Sequence, residues 1–196
     1  MLMDNIYGEH YYGLLSFMGT LEKQISMMEQ TLEAFNRTNI IDHTMARLKN
    51  EESVLQKCSK KGVEPTPDNI LSNVHDIIGI RIICTFLDDI YKVRDGIRDL
   101  EGITIVEEKD YIAHAKPNGY RSYHIIVRNA QGYPAEIQIR TISMDTWAAL
   151  EHDIKYKKDI TVNKELITAE LKRCADELAS TDVSMQTIRN MIYGQM

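Results

Sequence analysis

Cysteine is scarce in this chain, and the three present, Cys58, Cys84 and Cys174, lie far apart. An odd count with no paired spacing excludes a disulfide framework and a zinc site, and fits reduced thiols. No apolar run approaches the ~18 residues that a membrane helix needs. The opening MLMDNIYGEH lacks the basic-then-apolar order of a secretion signal. A cytoplasmic protein with no membrane partner is expected. Positive charge is short too: a net charge of −6 argues against a general nucleic-acid binder. There is no G-x-x-x-x-G-K-[ST] phosphate loop and no G-x-G-x-x-G turn, so side chains must hold the phosphates of any nucleotide. Neither H-E-x-x-H nor C-x-x-C occurs, which leaves transition-metal catalysis without support.

What is present suits one domain of ordinary size with its own core, extended by helices at each end: 196 residues, 43% apolar and 27% charged. Leu14, Phe17, Met18, Leu21, Ile25, Met28, Leu32 and Phe35 recur every three or four residues and predict a long helix over about 10–36. Its Met18, Met27 and Met28 can face the sheet or another subunit. A second helix is expected from about Thr44 to Lys60, ending near Gly62, with VEPTPDN beyond it a loop or short turn.

The period then changes. Strands are expected at 79–86, 103–108, 122–128 and 135–141, the last two joined by a hairpin turn at Gln131-Gly132. Asp88 and Asp89 are candidate caps for a helix through about Leu100, and Ser143 for one reaching about Tyr156. A long helix over about 163–191 has Leu166, Leu171, Leu178, Val183, Ile188 and Ile192 as buried candidates. The fold class is α/β (α+β), with about four or five strands flanked by helices.

Strand alternation gathers chemistry on one face. Glu136, Gln138 and Arg140 share a side of their strand, and Arg81 and His124 can join them. A half-solvated sheet with polar residues facing water gives the same pattern. Asp76 precedes the first of these strands and could sit beside Glu136. Residues 47–61 hold five basic residues and two acidic ones, which suits a small anion as readily as a solvated helix face. Two carboxylates near such a strip are the minimum for a Mg²⁺ site handling a polyphosphate. The loop Lys116-Pro-Asn-Gly-Tyr-Arg121 adds two cations and a ring able to stack on a base.

On these residues the sequence resembles a known family. HDIIGIRIICTFLDDIYKV, DYIAHAKPNGYRSYHIIV, EIQIRTISMDTWAALEH and the trailing YK are similar to the synthetase domain of the RelA/SpoT homologues. The short length resembles the stand-alone small alarmone synthetases. By this resemblance, residues 1–43 and 158–196 are helical extensions of a synthetase domain at 44–157. The implied fold is a nucleotidyltransferase-like mixed sheet. The implied reaction is pyrophosphate transfer from ATP to the 3′-hydroxyl of GTP or GDP, with GMP a further acceptor candidate, releasing AMP.

The resemblance implies roles position by position. Arg47 and Arg81 correspond to a pair that sandwiches adenine, as planar guanidinium groups can. Lys49, Ser53, Lys57 and Lys60 correspond to donor-phosphate contacts on one helix face, with Lys61 a further candidate. Asp76 corresponds to the Mg²⁺ ligand, and Glu136 to the residue that contacts the metal and activates the 3′-hydroxyl. Tyr120 corresponds to the ring under guanine, and Lys116, His124, Gln138 and Arg140 to further acceptor-site residues. A homotetramer built through the terminal helices is implied, with an alarmone or RNA as possible effector. Lys155 and His43 stand where feedback-regulated relatives can place asparagine and phenylalanine. Toxic relatives use adenosine nucleotides or tRNA 3′ ends as acceptors instead. A catalytically silent binder would have little need of both Asp76 and Glu136.

Overall fold

The computed structural model describes residues 5–36, 38–157 and 163–194. A 3-10 turn at Gly8–His10 leads into α1 (Tyr11–Asn36), followed by β1 (Ile41–Leu48), α2 (Glu51–Lys61), α3 (Pro67–Asn73) and β2 (Ile78–Cys84). Then come α4 (Leu87–Arg98), β3 (Ile103–Asp110), β4 (Tyr123–Asn129), β5 (Pro134–Thr141), α5 (Ile142–Lys157) and α6 (Lys164–Tyr193). The strands form one mixed sheet in the order β1-β2-β5-β4-β3, in which β2 and β5 are parallel and the other pairs antiparallel. Among the described residues no helix is long and apolar enough to cross a membrane.

The core lies between one sheet face and helices α1 and α4. Leu14, Phe17, Leu21, Ile25 and Met28 of α1 are buried at the expected spacing, with Ile90, Val93 and Ile97 of α4. They meet Ile80, Ile82, Ile125, Val127, Ile137 and Ile139 of the central strands in one cluster. Phe35 departs from the pattern and is exposed, as is Met27, whereas Met28 is buried.

The expected helix over 44–60 is instead a strand and a helix. Residues 41–48 pair along β2, because an open sheet edge offers a ladder that outweighs local helix preference. The helix starts at Asn50, whose side chain accepts from Ser53 N at 2.8 Å, and ends at left-handed Gly62. The expected loop contains α3, started by Thr66 as N-cap and Pro67 in the first turn. Neither expected cap, at Asp88/Asp89 or Ser143, forms. Phe86 occupies the N-cap of α4, and the Asp88 N–H donates to Gln186 Oε1. At α5, Thr141 Oγ1 accepts from Met144 N.

α6 also differs from expectation. Leu166, Val183, Ile188 and Ile192 are exposed and Leu171 and Leu178 are half-buried, while Ala175 and Arg189 are buried. The helix docks through polar clamps: Thr141 Oγ1 donates to Asp182 Oδ2 at 2.6 Å, and Arg189 grips Asp88 and Asp89. The apolar stripe is left facing outward.

Candidate active site

β2 and β5 lie side by side with Gly79 opposite Glu136 and Arg81 opposite Gln138, and β4 sets His124 opposite Gln138. The parallel register therefore brings Arg81, His124, Glu136, Gln138 and Arg140 onto one face, as alternation predicts. His124 Nδ1 lies 3.0 Å from Glu136 Oε1, and Gln138 Nε2 donates to Glu136 Oε2 at 2.8 Å. Arg140 donates to Gln138 Oε1 at 2.6 Å and to the Tyr120 hydroxyl at 2.8 Å. That hydroxyl is 2.8 Å from His124 Nε2.

A carboxylate only accepts, so in a neutral His124 ring the proton sits on Nδ1, Nε2 accepts and Tyr120 donates. The bonds close into a ring that holds both Glu136 oxygens. Burial disfavours the Glu136 charge, but the hydrogen bonds from His124 and Gln138 outweigh it and hold the carboxyl below its usual range.

Asp76 stands just before β2. Its Oδ2 accepts from Lys49 Nζ and Lys57 Nζ, both at 2.5 Å, while its buried Oδ1 has no partner among the described residues. Burial opposes the Asp76 charge as well, and the two lysines more than offset it, so its pKa is lowered. Lys49 is shifted down, first by burial and further by crowding from Lys57, despite its contact with Asp76. Among the described residues no group of three or more His, Cys, Asp or Glu could hold a metal. The unpartnered Asp76 oxygen and Glu136 share one cleft, an all-oxygen pair that suits Mg²⁺ once phosphates supply further ligands.

That cleft has a volume of about 480 Å³ and is walled by Arg47, Lys49, Asp76, Arg81, Glu136 and Gln138 among others. A second hollow of about 150 Å³ holds Tyr111, Lys116, His124 and Glu136. Glu136 lines both.

Residues 46–161 match the family described as "Region found in RelA / SpoT proteins". The chain belongs to the RelA/SpoT family. It is 41% identical over 182 residues to the GTP pyrophosphokinase YwaC of Bacillus subtilis (strain 168), spanning 89% of this chain and 86% of that protein. The crystal structure of small alarmone synthetase 2 from Bacillus subtilis matches with a TM-score of 0.79 at 39% identity, covering 93% of this chain and all of that one. Small alarmone synthetase 1 from the same organism, bound to its product pppGpp, matches with a TM-score of 0.79 at 30% identity, covering 92% and 94% of the two chains.

Within this RelA/SpoT frame the expected cations do not form one helix face. Arg47 is on β1 opposite Gly79, Lys49 lies in the turn before α2, and Ser53, Lys57, Lys60 and Lys61 are helical. Lys60 is exposed outside the cleft lining. Lys61 donates to Asn73 O at 2.6 Å and ties α2 to the end of α3. Exposed His43 pairs with Asp42, and the side chain of Lys155 lies outside the described residues.

Three contributors escaped the sequence reading. Asp145 Oδ1 accepts from Arg140 at 2.9 Å and pairs with Arg81 at 3.1 Å; an acid in the turn after β5 was its signal. The Tyr7 hydroxyl donates to Lys49 O at 2.6 Å, and nothing in the pattern pointed to so distant a pin. Tyr111 stands edge-on to His124, and Lys116 Nζ sits 4.4 Å from its ring centre and 4.7 Å from that of Tyr120. The DYI tripeptide was its signal.

Proposed function

We propose that this chain is an ATP:GTP 3′-diphosphotransferase, making pppGpp from GTP, ppGpp from GDP and, where GMP is accepted, pGpp. The observation that carries the reading is the position of Glu136 on the shared wall of two hollows, one cationic and one aromatic. The similarity to GTP pyrophosphokinases and to a synthetase bound to pppGpp supports the same assignment.

In this reading ATP occupies the larger cleft. Arg47 and Arg81 stack on adenine, Lys49 and the Asp76-bound Lys57 meet the phosphates, and Ser53 and Lys60 flank them on α2 outside the cleft lining. The acceptor occupies the smaller hollow against Lys116 and His124, and guanine on Tyr120 with contacts from Gln138 and Arg140, which stand outside that lining, follow from the family resemblance. Asp76 and Glu136 would hold Mg²⁺, which supplies neutralisation of phosphate charge.

Glu136 takes the 3′-hydroxyl proton. The 3′-oxygen forms a bond to the β-phosphorus, the bridge from that phosphorus to the α-phosphate oxygen breaks, and AMP leaves with the electron pair. Such transfers depend on alignment and charge more than on covalent help. The ring around Glu136 keeps the base ionised and oriented. We also propose a homo-oligomer, a tetramer by family resemblance, with the outward apolar stripe of α6 as a contact.

The test incubates the protein with β-labelled ATP and Mg²⁺, and separately with GMP, GDP, GTP, their adenosine counterparts or deacylated tRNA. Label on the 3′-oxygen of a guanosine nucleotide is expected. Label on tRNA or adenosine nucleotides alone, or on nothing, overturns the proposal.

A further inference from the structure

We infer that α6 shapes the acceptor site, with Arg121 and Asp176 as positioning residues for the acceptor nucleotide. The inference rests on the reading of Lys116 and Tyr120 as acceptor contacts. Those two residues bracket a tight turn, in which Gly119 N donates to Lys116 O at 2.8 Å and Lys116 N donates to Tyr120 O at 3.1 Å. The turn is fastened to α6 on its other side.

Gly119 has φ of +93°, and a Cβ there would stand 2.6 Å from Ala175 Cβ and 3.1 Å from Lys172 Cα. The turn backbone therefore sits against the helix at a distance that only glycine permits. Arg121 completes the fastening. Its Nη1 donates to Gly119 O at 3.1 Å and to Ala175 O at 3.4 Å, and its Nη2 donates to Asp176 Oδ1 at 2.9 Å. Asp176 Oδ2 accepts from Lys172 Nζ at 2.6 Å. Trp147 Nε1 donates to Leu171 O at 2.8 Å, fixing α5 to the same stretch of α6. The void along this seam is only about 10 Å³.

None of Arg121, Ala175 or Asp176 lines either substrate hollow. Their effect must pass through the turn to Lys116 and Tyr120. α6 also lies wholly beyond the region shared across the family. Acceptor affinity is thus set by a helix that the shared domain does not include. A turn held in place before binding loses less freedom when the nucleotide arrives.

The experiment measures steady-state kinetics of the full chain with varied GDP at saturating ATP, and the reverse. The variants are Ala175→Leu, which pushes the turn off α6, Asp176→Ala, and the conservative Asp176→Glu. Thermal melts confirm that each variant is folded. For Ala175→Leu and Asp176→Ala the KM for GDP should rise about five- to twentyfold while the KM for ATP stays within about twofold. Asp176→Glu should restore most of the GDP affinity. Unchanged GDP KM in both disruptive variants, or an equal rise in both KM values, overturns the inference and leaves the proposed function standing. Absence of transfer to any guanosine nucleotide by the unaltered protein overturns both.

Discussion

His124 and Glu136 form a donor–acceptor pair at 3.0 Å whose direction is fixed from behind, because Tyr120 engages the far nitrogen of the imidazole. The pair makes Glu136 a better anion and hence a weaker base, in exchange for fixed aim. Glu136→Gln should remove synthesis by at least about 10²-fold while leaving the fold intact. Circular dichroism and AMP release measured on one preparation would check both parts.

Removing the donor should move the pH profile in a definite direction. The His124 hydrogen bond lowers the Glu136 pKa, so His124→Ala lets it rise. The acid limb of the kcat profile should then shift to higher pH, beyond the loss in rate at the plateau. An unshifted limb would assign that limb to another group.

Asp76 holds two lysines on a single oxygen. Asp76→Asn should abolish synthesis and also bring Lys49 and Lys57 into uncompensated repulsion, destabilising the fold by about 1–3 kcal/mol at neutral pH. The Asp76 pKa is lowered by folding, so its contribution is fully present above the ordinary carboxylate range, near pH 4. It is lost as pH falls through the lowered value. Urea titrations of both proteins at pH 7 and at pH 3 should show the gap closing in acid.

Arg189 is buried against Asp89, which is itself fully buried. Arg189→Met keeps the volume but leaves Asp89 with Lys92 as its remaining cation among the described residues. A loss of about 3 kcal/mol is expected, since breaking one side of a buried pair strands a charge. Chemical denaturation reads this directly.

Two glycines of α1 should respond oppositely to alanine. A Cβ on Gly13 would fall 2.4 Å from the Tyr133 hydroxyl oxygen, whereas one on Gly19 meets nothing within 4 Å. Gly19→Ala should stabilise by up to about 1 kcal/mol through helix preference. Gly13→Ala should destabilise by about 1–3 kcal/mol, because a ring edge cannot yield as a flexible chain does. Thermal melts of both variants would show midpoints on either side of the parent.

Much of the sheet was legible because alternation in EIQIR and IGIRIIC reports a buried face directly, and the chemistry stands on the opposite side. Arg81, Glu136 and Gln138 could be placed together on that basis. Residues 41–48 were not legible, since their strand depends on the open edge of β2, a tertiary fact that local pattern does not contain. For the same reason Lys49 and Lys57 reach Asp76 from a turn and a helix, although their spacing suggested one helix. Leu166, Val183, Ile188 and Ile192 misled differently. Those residues stay exposed because α6 meets its own chain through a mixed face, with Ala175 and Leu178 in the seam beside Met144 and Trp147 and with Asp182 and Arg189 as polar clamps.

The single parallel pairing has a consequence for how the chain acquires activity. Asp76 and Glu136 are far apart in sequence and meet only when β2 lies alongside β5, whereas β3, β4 and β5 can zip locally as hairpins. Pairing of distant segments carries the larger loop-closure penalty and comes slowly. A ribosome-bound or partly folded chain can therefore own a finished meander and a complete set of lysines and still make no product. The catalytic face is complete only once this long-range pairing has formed.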